Sequence, residues 1–540
     1  MQNKQWKQWI GWGLLAVALV YSTVWIFCGG GNPKDPFYWM TKCELLESGW
    51  MACGTIALGH VWILLFGRTI FSMRLLGWLC TTIAVALPYL CLLSREQRRD
   101  NIHWLAITYW LVGYGSFQEF SPGSISVLLL SALLVTLFRK SDKYPFPVAR
   151  YACAVALLIA SLLLVRFPNI LAVPVILIWM LLPIMRRKRP WTDLWQGRNR
   201  ALLIGLVGGA LLYGLGLIGW YYGMDHHISA SVGQHTMDLM LQKMGENGYK
   251  LIAGMSLWGA FGFGLWLAGR PVNKAWQWFA AAATGGLMLY VVIYACHATQ
   301  WYNMDQIYLI SSIVLLCALV LVMQRGKHLL PLTVVLCSLM MMTVASLGTD
   351  TGFMKLFPAL LCLLPWWAAY IQWPCRQRYV LTAMFIITAL FVVRFSTNAI
   401  GRHNIFEEKT WGQTDIMHLT RISEEYNTQM LQIEKDYAEY SPKAHVYAVG
   451  DAQHMMRALT HCHQPAHNEF WSNIFDPVYT KWYAEVVGRE HPVIFCFFSP
   501  SFRTKPEYKD KHSAVEEMLR DSGYTAIDRS EFKYMIYYKE

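Results

Sequence analysis

Charge is what this sequence has least of. Only 15% of its 540 residues are Asp, Glu, Lys or Arg, and 55% are hydrophobic, whereas a soluble chain carries about 25% charged residues. That balance excludes an ordinary soluble fold for most of the chain. Apolar stretches long enough to cross a ~30 Å hydrocarbon layer recur through its first three quarters. Cys-x-x-Cys pairs are missing, so the 13 cysteines carry no strong zinc or redox signature. Many of them, including Cys80, Cys91, Cys153 and Cys317, sit in apolar segments as small hydrophobes. Cys43 and Cys53 could pair if both faced an oxidising compartment. No Walker A loop, Gly-x-Gly-x-x-Gly after a strand, Gly-x-Ser-x-Gly or His-Glu-x-x-His occurs. ATP-driven transport and the common hydrolase chemistries are left without support. A small-x-small cleavage site is also missing after the first apolar run. Residues 1–28, with Lys4 and Lys7 at their start, therefore read as an uncleaved first helix.

What is present is a polytopic α-helical membrane protein of about thirteen spans. They fall near 8–28, 75–93, 103–117, 124–138, 148–165, 168–185, 201–221, 251–268, 276–296, 306–323, 329–346, 355–372 and 379–395. The formal charge of +12 does not point to nucleic acid, because the basic residues gather in short loops at every second connection. "SREQRRDN", "FRKSDK", "MRRKRP", "GRPVNK", "MQRGK" and "PCRQR" are those loops, and such loops stay on the cytoplasmic side. The N-terminus is then cytoplasmic, and everything after the last span lies outside. The apolar stretch 51–67 breaks this parity if it is counted as a span. It is expected to lie along or dip into the outer face as an interfacial helix. Residues 29–74 become one long outer loop with two lateral helices, and 221–250 a second outer loop with an amphipathic helix at 236–244.

Beyond about residue 397 the hydropathy becomes that of a soluble domain. Residues 410–441 show helical periodicity at Ile416, Leu419, Ile422, Tyr426, Met430 and Ile433. "AHVYAVG" and "HPVIFCFFS" read as strands, "AQHMMRALT" and "SAVEEMLRDSG" as helices, the last stopped by Gly523, and "YTAIDR" with "FKYMIYYK" as a terminal strand pair. This alternation predicts one α/β domain over 397–540, following a membrane domain over 1–396.

The acids crowd the outer connections. Asp35 lies seven residues past the first predicted span, between Pro33 and Pro36. A carboxylate beside low-dielectric lipid has a raised pKa, which suits it to accept a proton from a hydroxyl held about 3 Å away. It could equally be an Asp in a loop turn. Glu119 closes the third span on the same face and could orient a substrate or bind a cation, or simply face water. Asp225, His226 and His227, with His235, could supply metal ligands, although adjacent histidines diverge on most backbones. His461, His463 and His467 form a similar weak cluster. Asp305 and Asp350 sit on short outer turns. Arg166 and Lys250 are outer-side cations that could meet a phosphate headgroup or snorkel.

Taken together, these features resemble bacterial members of the GT-C glycosyltransferase superfamily, near the protein mannosyltransferase and aminoarabinose transferase families. The likeness rests on the Asp35 loop after the first span and the lateral stretch ending "LLFGRTIFSMRLLGWL". It also rests on the acidic Glu119 loop, the long loop after the seventh span and the closing α/β domain that opens with "HVYAVG". The resemblance implies transfer of a sugar from a polyprenyl-phosphate donor, with inversion, at the outer face of a bacterial cytoplasmic membrane. The acceptor would be a glycan, lipid or protein, and the α/β domain would be periplasmic. Asp35 would be the general base, and Glu119 would help bind the acceptor or a divalent cation, Mg or Mn, with Asp35 and Asp225 as further candidate ligands. Arg166, His226, His227, Lys250 and Asp305 would contact substrate or its phosphate. The sequence departs from the pattern at Pro36, where a second acid often follows, and in lacking an Asp-x-Asp in the second loop. Two other classes share part of the layout. A transporter or flippase would place its ionisable residues at mid-membrane; an O-antigen-type ligase or polymerase would use outer-loop Arg and His without a closing soluble domain.

Overall fold

The computed structural model describes residues 2–28, 34–46, 52–112, 120–138, 147–171, 195–223, 364–369, 410–450, 453–462, 490–497 and 516–539, with isolated positions elsewhere. Among the described residues the longer α-helices are, in chain order, α1 (Gln2–Phe27), α2 (Lys34–Leu45), α3 (Cys53–Phe66), α4 (Ile70–Leu92), α5 (Arg95–Asp100), α6 (Ile102–Val112), α7 (Pro122–Phe138), α8 (Val148–Val165), α9 (Gly197–Gly223), α10 (Glu424–Tyr440) and α11 (Gln453–Thr460), with a five-residue helix at Leu364–Ala368 between α9 and α10. Among the described residues, four stretches are long and apolar enough to cross a membrane: Gln8–Phe27, Ile70–Leu92, Val148–Val165 and Gly197–Gly223. The helices at the third and fourth expected spans are shorter, Ile102–Val112 and Pro122–Phe138. Of the six expected spans after residue 250, the described residues include the helix Leu364–Ala368 within 355–372 and isolated positions elsewhere; the rest lies outside them, as does the expected helix at 236–244. Helix α3 has 14 residues, about 21 Å at 1.5 Å per residue and short of a ~30 Å core.

The chain divides into two compact units. The first comprises Met1–Ile26, Ser48–Ala57 and Leu75–Arg402; the second, Phe27–Glu47, Leu58–Arg74 and His403–Glu540.

In the first unit, small residues let helices touch backbone to backbone. A Cβ on Gly205 would come within 2.7 Å of Val155 Cβ, and one on Gly209 within 2.8 Å of Ile159 Cβ and 3.0 Å of the Ala156 carbonyl. The Gly-x-x-x-Gly spacing on α9 is thus the contact row against α8, as in membrane helix pairs that lack a hydrophobic drive between helices. The opposite face of α9 leaves Val207, Leu211, Leu215 and Ile218 more than half exposed, the pattern of a lipid-facing surface.

Pro88 lies inside α4 and has no N–H to give the carbonyl four residues back. That carbonyl belongs to Ala84, and the buried Ser131 of α7 donates its hydroxyl to it at 2.7 Å. Tyr109 of α6 donates to the Thr82 carbonyl on the same helix at 2.7 Å. The loop "SREQRRDN" is itself helical: Ser94 and Gln97 form a reciprocal capping box at the start of α5. Arg198 closes α7, its guanidinium reaching the carbonyls of Thr136, at 3.1 Å, and Leu137. A cation there complements the negative end of the helix dipole.

The second unit contains a four-stranded sheet in the order β3-β4-β6-β5 (Val446–Gly450, Val493–Phe497, Tyr534–Tyr538, Thr525–Arg529), with β1 (Thr410–Trp411) and β2 (Arg421–Ile422) forming a separate antiparallel pair. Strands β3 and β4 run parallel, while β4–β6 and β5–β6 are antiparallel. All five residues of β4 are buried, which explains its unbroken apolar reading. Gly523, expected to stop the helix before it, adopts φ +79 ahead of β5, a left-handed conformation that glycine takes without strain.

The helical periodicity expected from residue 410 holds only from Glu424. Ile416 lies in a 3-10 turn, Leu419 has φ +62 and Ile422 belongs to β2. The helix begins where Ser423 accepts a hydrogen bond from the Tyr426 N–H and Glu424 and Glu425 fill the first turn. Asp436 on α10, essentially buried, is met by Arg529 (2.9 and 3.2 Å), the Tyr534 hydroxyl (2.6 Å) and Gln432 (2.8 Å). Burial alone would raise this carboxyl; the hydrogen bonds from Arg529, Tyr534 and Gln432 outweigh it and hold it below the ordinary carboxylate range.

Candidate functional site

Asp35 falls in the first turn of α2, with Pro36 beside it. Proline is tolerated there because the N–H it lacks would have no partner within the helix. Phe37, Met40, Thr41, Lys42 and Cys43 are the buried positions further along α2. In the second unit this helix packs on α11, whose own buried residues include His454, Met455, Met456 and Arg457. The Tyr38 and His454 rings meet edge to face, centroids 4.8 Å apart, and the Lys42 ammonium stands 5.8 Å from the Tyr38 ring centre.

At the other end of α2, Glu44 gathers a guanidinium and an imidazole. Arg68 donates from Nε to Glu44 Oε2 at 2.6 Å and from Nη2 to the Ala458 carbonyl in the last turn of α11. His461 Nδ1 lies 3.3 Å from Glu44 Oε1. His461 takes φ +54 and returns its N–H to the Arg457 carbonyl at 2.8 Å, closing α11. Arg68 occupies the break between α3 and α4, just after Gly67 at φ +86. His60 Nδ1 contacts the Cys43 carbonyl at 2.8 Å, a further tie between the lateral stretch and α2. Glu44 and Arg68 carried no signal in the sequence beyond an arginine standing between two apolar runs, because their partners are tens to hundreds of residues away.

A second polar group belongs to the first unit. Arg166 follows α8 directly and is buried; burial lowers its guanidinium to about 10, so it stays charged at neutral pH. Three residues on, Asn169 is buried and donates to Ser126 Oγ at 2.9 Å and the Leu162 carbonyl at 2.8 Å. Ser126 lies one turn into α7, the helix that follows the Glu119 loop. Thr55 of α3 donates to the Val165 carbonyl at 2.9 Å, and Gly54 lies so close to Leu164 that a Cβ would reach its backbone at 2.9 Å. The start of the lateral helix is therefore fixed to the end of α8.

Glu119, Asp225, His226, His227, Lys250, Asp305 and Asp350 lie outside the described residues. Cys43 and Cys53 are both buried and both free. Among the described residues no three His, Cys, Asp or Glu side chains gather as a metal site.

Comparison with protein-family models and with curated proteins found no match. Solved structures do match. ArnT from Cupriavidus metallidurans in the apo state aligns at 12% identity and TM-score 0.46, covering 98% of each chain. Its undecaprenyl-phosphate-bound form aligns at 11% identity and TM-score 0.40, over 98% of this chain and 97% of that one. The Archaeoglobus fulgidus oligosaccharyltransferase tethered with an acceptor peptide aligns at 11% identity and TM-score 0.47, over 98% of this chain and 74% of that one.

Proposed function

We propose that this chain is a membrane glycosyltransferase that moves a sugar from a polyprenyl-phosphate carrier to an acceptor hydroxyl at the outer face of a bacterial cytoplasmic membrane. The observation that carries the reading is Asp35, a carboxylate at the start of a helix that follows the first span and packs with residues of the closing α/β unit. Asp35 takes the proton from the acceptor. The acceptor atom bonds to the anomeric carbon from the face opposite the lipid phosphate, and the carbon–oxygen bond to that phosphate breaks. The electron pair leaves with the phosphate, the configuration inverts, and the proton passes from Asp35 to water. Glu119 orients the acceptor; Arg166, Lys250, His226 and His227 offset charge on the departing phosphate, and Asp305 contacts the sugar. The N-terminus is cytoplasmic and the α/β unit periplasmic.

The test uses purified full-length chain in nanodiscs with undecaprenyl phosphate carrying a labelled hexose or pentose, and a cell-envelope extract as acceptor source. Release of undecaprenyl phosphate with label entering the acceptor is expected. Asp35→Asn should lower kcat by about 10²- to 10⁴-fold, the usual worth of a positioned base, with the protein still folded. An undiminished rate in that variant removes Asp35 from the reaction. Movement of intact donor between leaflets, with no phosphate released, would establish the transporter reading instead.

A further inference from the structure

We propose that Glu44 and Arg68 are positioning residues for Asp35, acting by clamping α2 to the end of α11; this rests on the reading of Asp35 as the base. The clamp has three jaws. The Arg68 guanidinium forks between the Glu44 carboxylate and the Ala458 carbonyl. His461 holds the other Glu44 oxygen. One and a half turns toward the start of α2, Tyr38 packs against His454 of the same partner helix. The jaws therefore grip α2 at its last turn and again one turn from Asp35.

A helix held at two points along its axis has little freedom left at its end. Asp35 precedes Glu44 by nine positions, about 13 Å along the axis, and it precedes Tyr38 by only three. A tilt at the Glu44 end is therefore carried to the Asp35 end. Displacement of a reacting group by 1 Å costs about 10²-fold in rate. The ion pair is also sheltered: both side chains are 20% exposed, so it is screened less than a surface pair. Arg68 does a second task by taking up a carbonyl at the end of α11 that has no partner within the helix. Neither Glu44 nor Arg68 touches substrate in this scheme. Their effect passes through α2.

Glu44→Gln, nearly isosteric, and Arg68→Gln are compared with the parent as full-length chains in nanodiscs. Hydrogen exchange in peptides covering 34–45 is expected to rise at least tenfold in both variants, with β4 and β6 peptides unchanged. In the transfer assay kcat should fall about tenfold or more, while KM for the lipid-linked donor stays within twofold. Unchanged exchange over 34–45 in the folded Glu44→Gln protein overturns the clamp. Faster exchange with unchanged kcat overturns the positioning role. Asp35→Asn is the control that separates the two readings. If that variant keeps full activity, the base assignment falls and the positioning role with it, while the exchange result still judges the clamp on its own.

Discussion

The buried carboxylate of Asp436 gives the sharpest quantitative expectation. Replacing it by Asn keeps the shape, removes the charge and turns an NH2 group toward a ring of donors. Four hydrogen bonds converge on the two carboxylate oxygens: two from Arg529 at 2.9 and 3.2 Å, one from Tyr534 at 2.6 Å and one from Gln432 at 2.8 Å. Arg529 is 29% exposed and regains water when its partner is lost, so its share is discounted. Tyr534 is fully buried and has no such recourse. Breaking a buried pair costs about 3–5 kcal/mol, and the exposed arginine places this one near 3 kcal/mol, or about a hundredfold in an equilibrium. Hydrogen exchange of the full-length chain should therefore quicken about a hundredfold in peptides over 424–440 and 525–538. The pH dependence has a definite sign. Because the folded pKa of Asp436 is depressed, its contribution is complete above the unfolded value near 3.9 and is lost as pH falls below about 4. The Asn variant should lack that acid limb. A change of less than threefold in exchange, or an acid limb retained in Asp436→Asn, would refute the reasoning.

Three further expectations concern the first unit. Ser131→Ala leaves the Ala84 carbonyl, already deprived of its helical donor by Pro88, without a partner; a loss of about 1–3 kcal/mol should appear as a lowered thermal midpoint in detergent, and Ser131→Thr should restore part of it. Gly209→Val drives a side chain into Ile159 and the Ala156 carbonyl and should cost about 1–3 kcal/mol by the same measurement. Gly214→Ala, where a Cβ meets nothing within 4 Å, should be neutral or stabilising by up to ~1 kcal/mol.

Features whose signal is local were legible in the sequence. Val446–Gly450 and Val493–Phe497 announced themselves as short apolar β-branched and aromatic runs, and Gly523 marked its turn. The membrane helices Gln8–Phe27, Val148–Val165 and Gly197–Gly223 follow from unbroken hydropathy. The stretch before Glu424 misled because Ile416, Leu419 and Ile422 are spaced three apart, as on a helix, while each is buried or turned by a different element. Asp35 could be chosen from its place in the chain. Its setting could not, because Glu44 meets Arg68 24 residues away and Arg68 meets Ala458 390 residues away, separations that leave no periodicity to read. Ser131 is similar: Pro88 foretells an orphan carbonyl, but only packing tells which hydroxyl answers it.

The interleaving of the two units has a consequence for biogenesis. Residues 27–47 and 58–74 leave the ribosome early, yet the rest of their unit begins at His403. At about 5–20 residues per second, the 329-residue interval implies a wait of roughly 16–66 s before the first of that partner chain is made. During that time the side of α2 that packs on α11, with Tyr38 among its residues, lacks that partner helix. The membrane interface or a chaperone must shelter it until the last quarter of the chain arrives. A protein cut after Arg402 would keep that face bare for good, and a fragment beginning at His403 would lack the helix that covers α11. The segment from His403 is thus a late-arriving part of a joint structure, and neither part is a module to be moved alone.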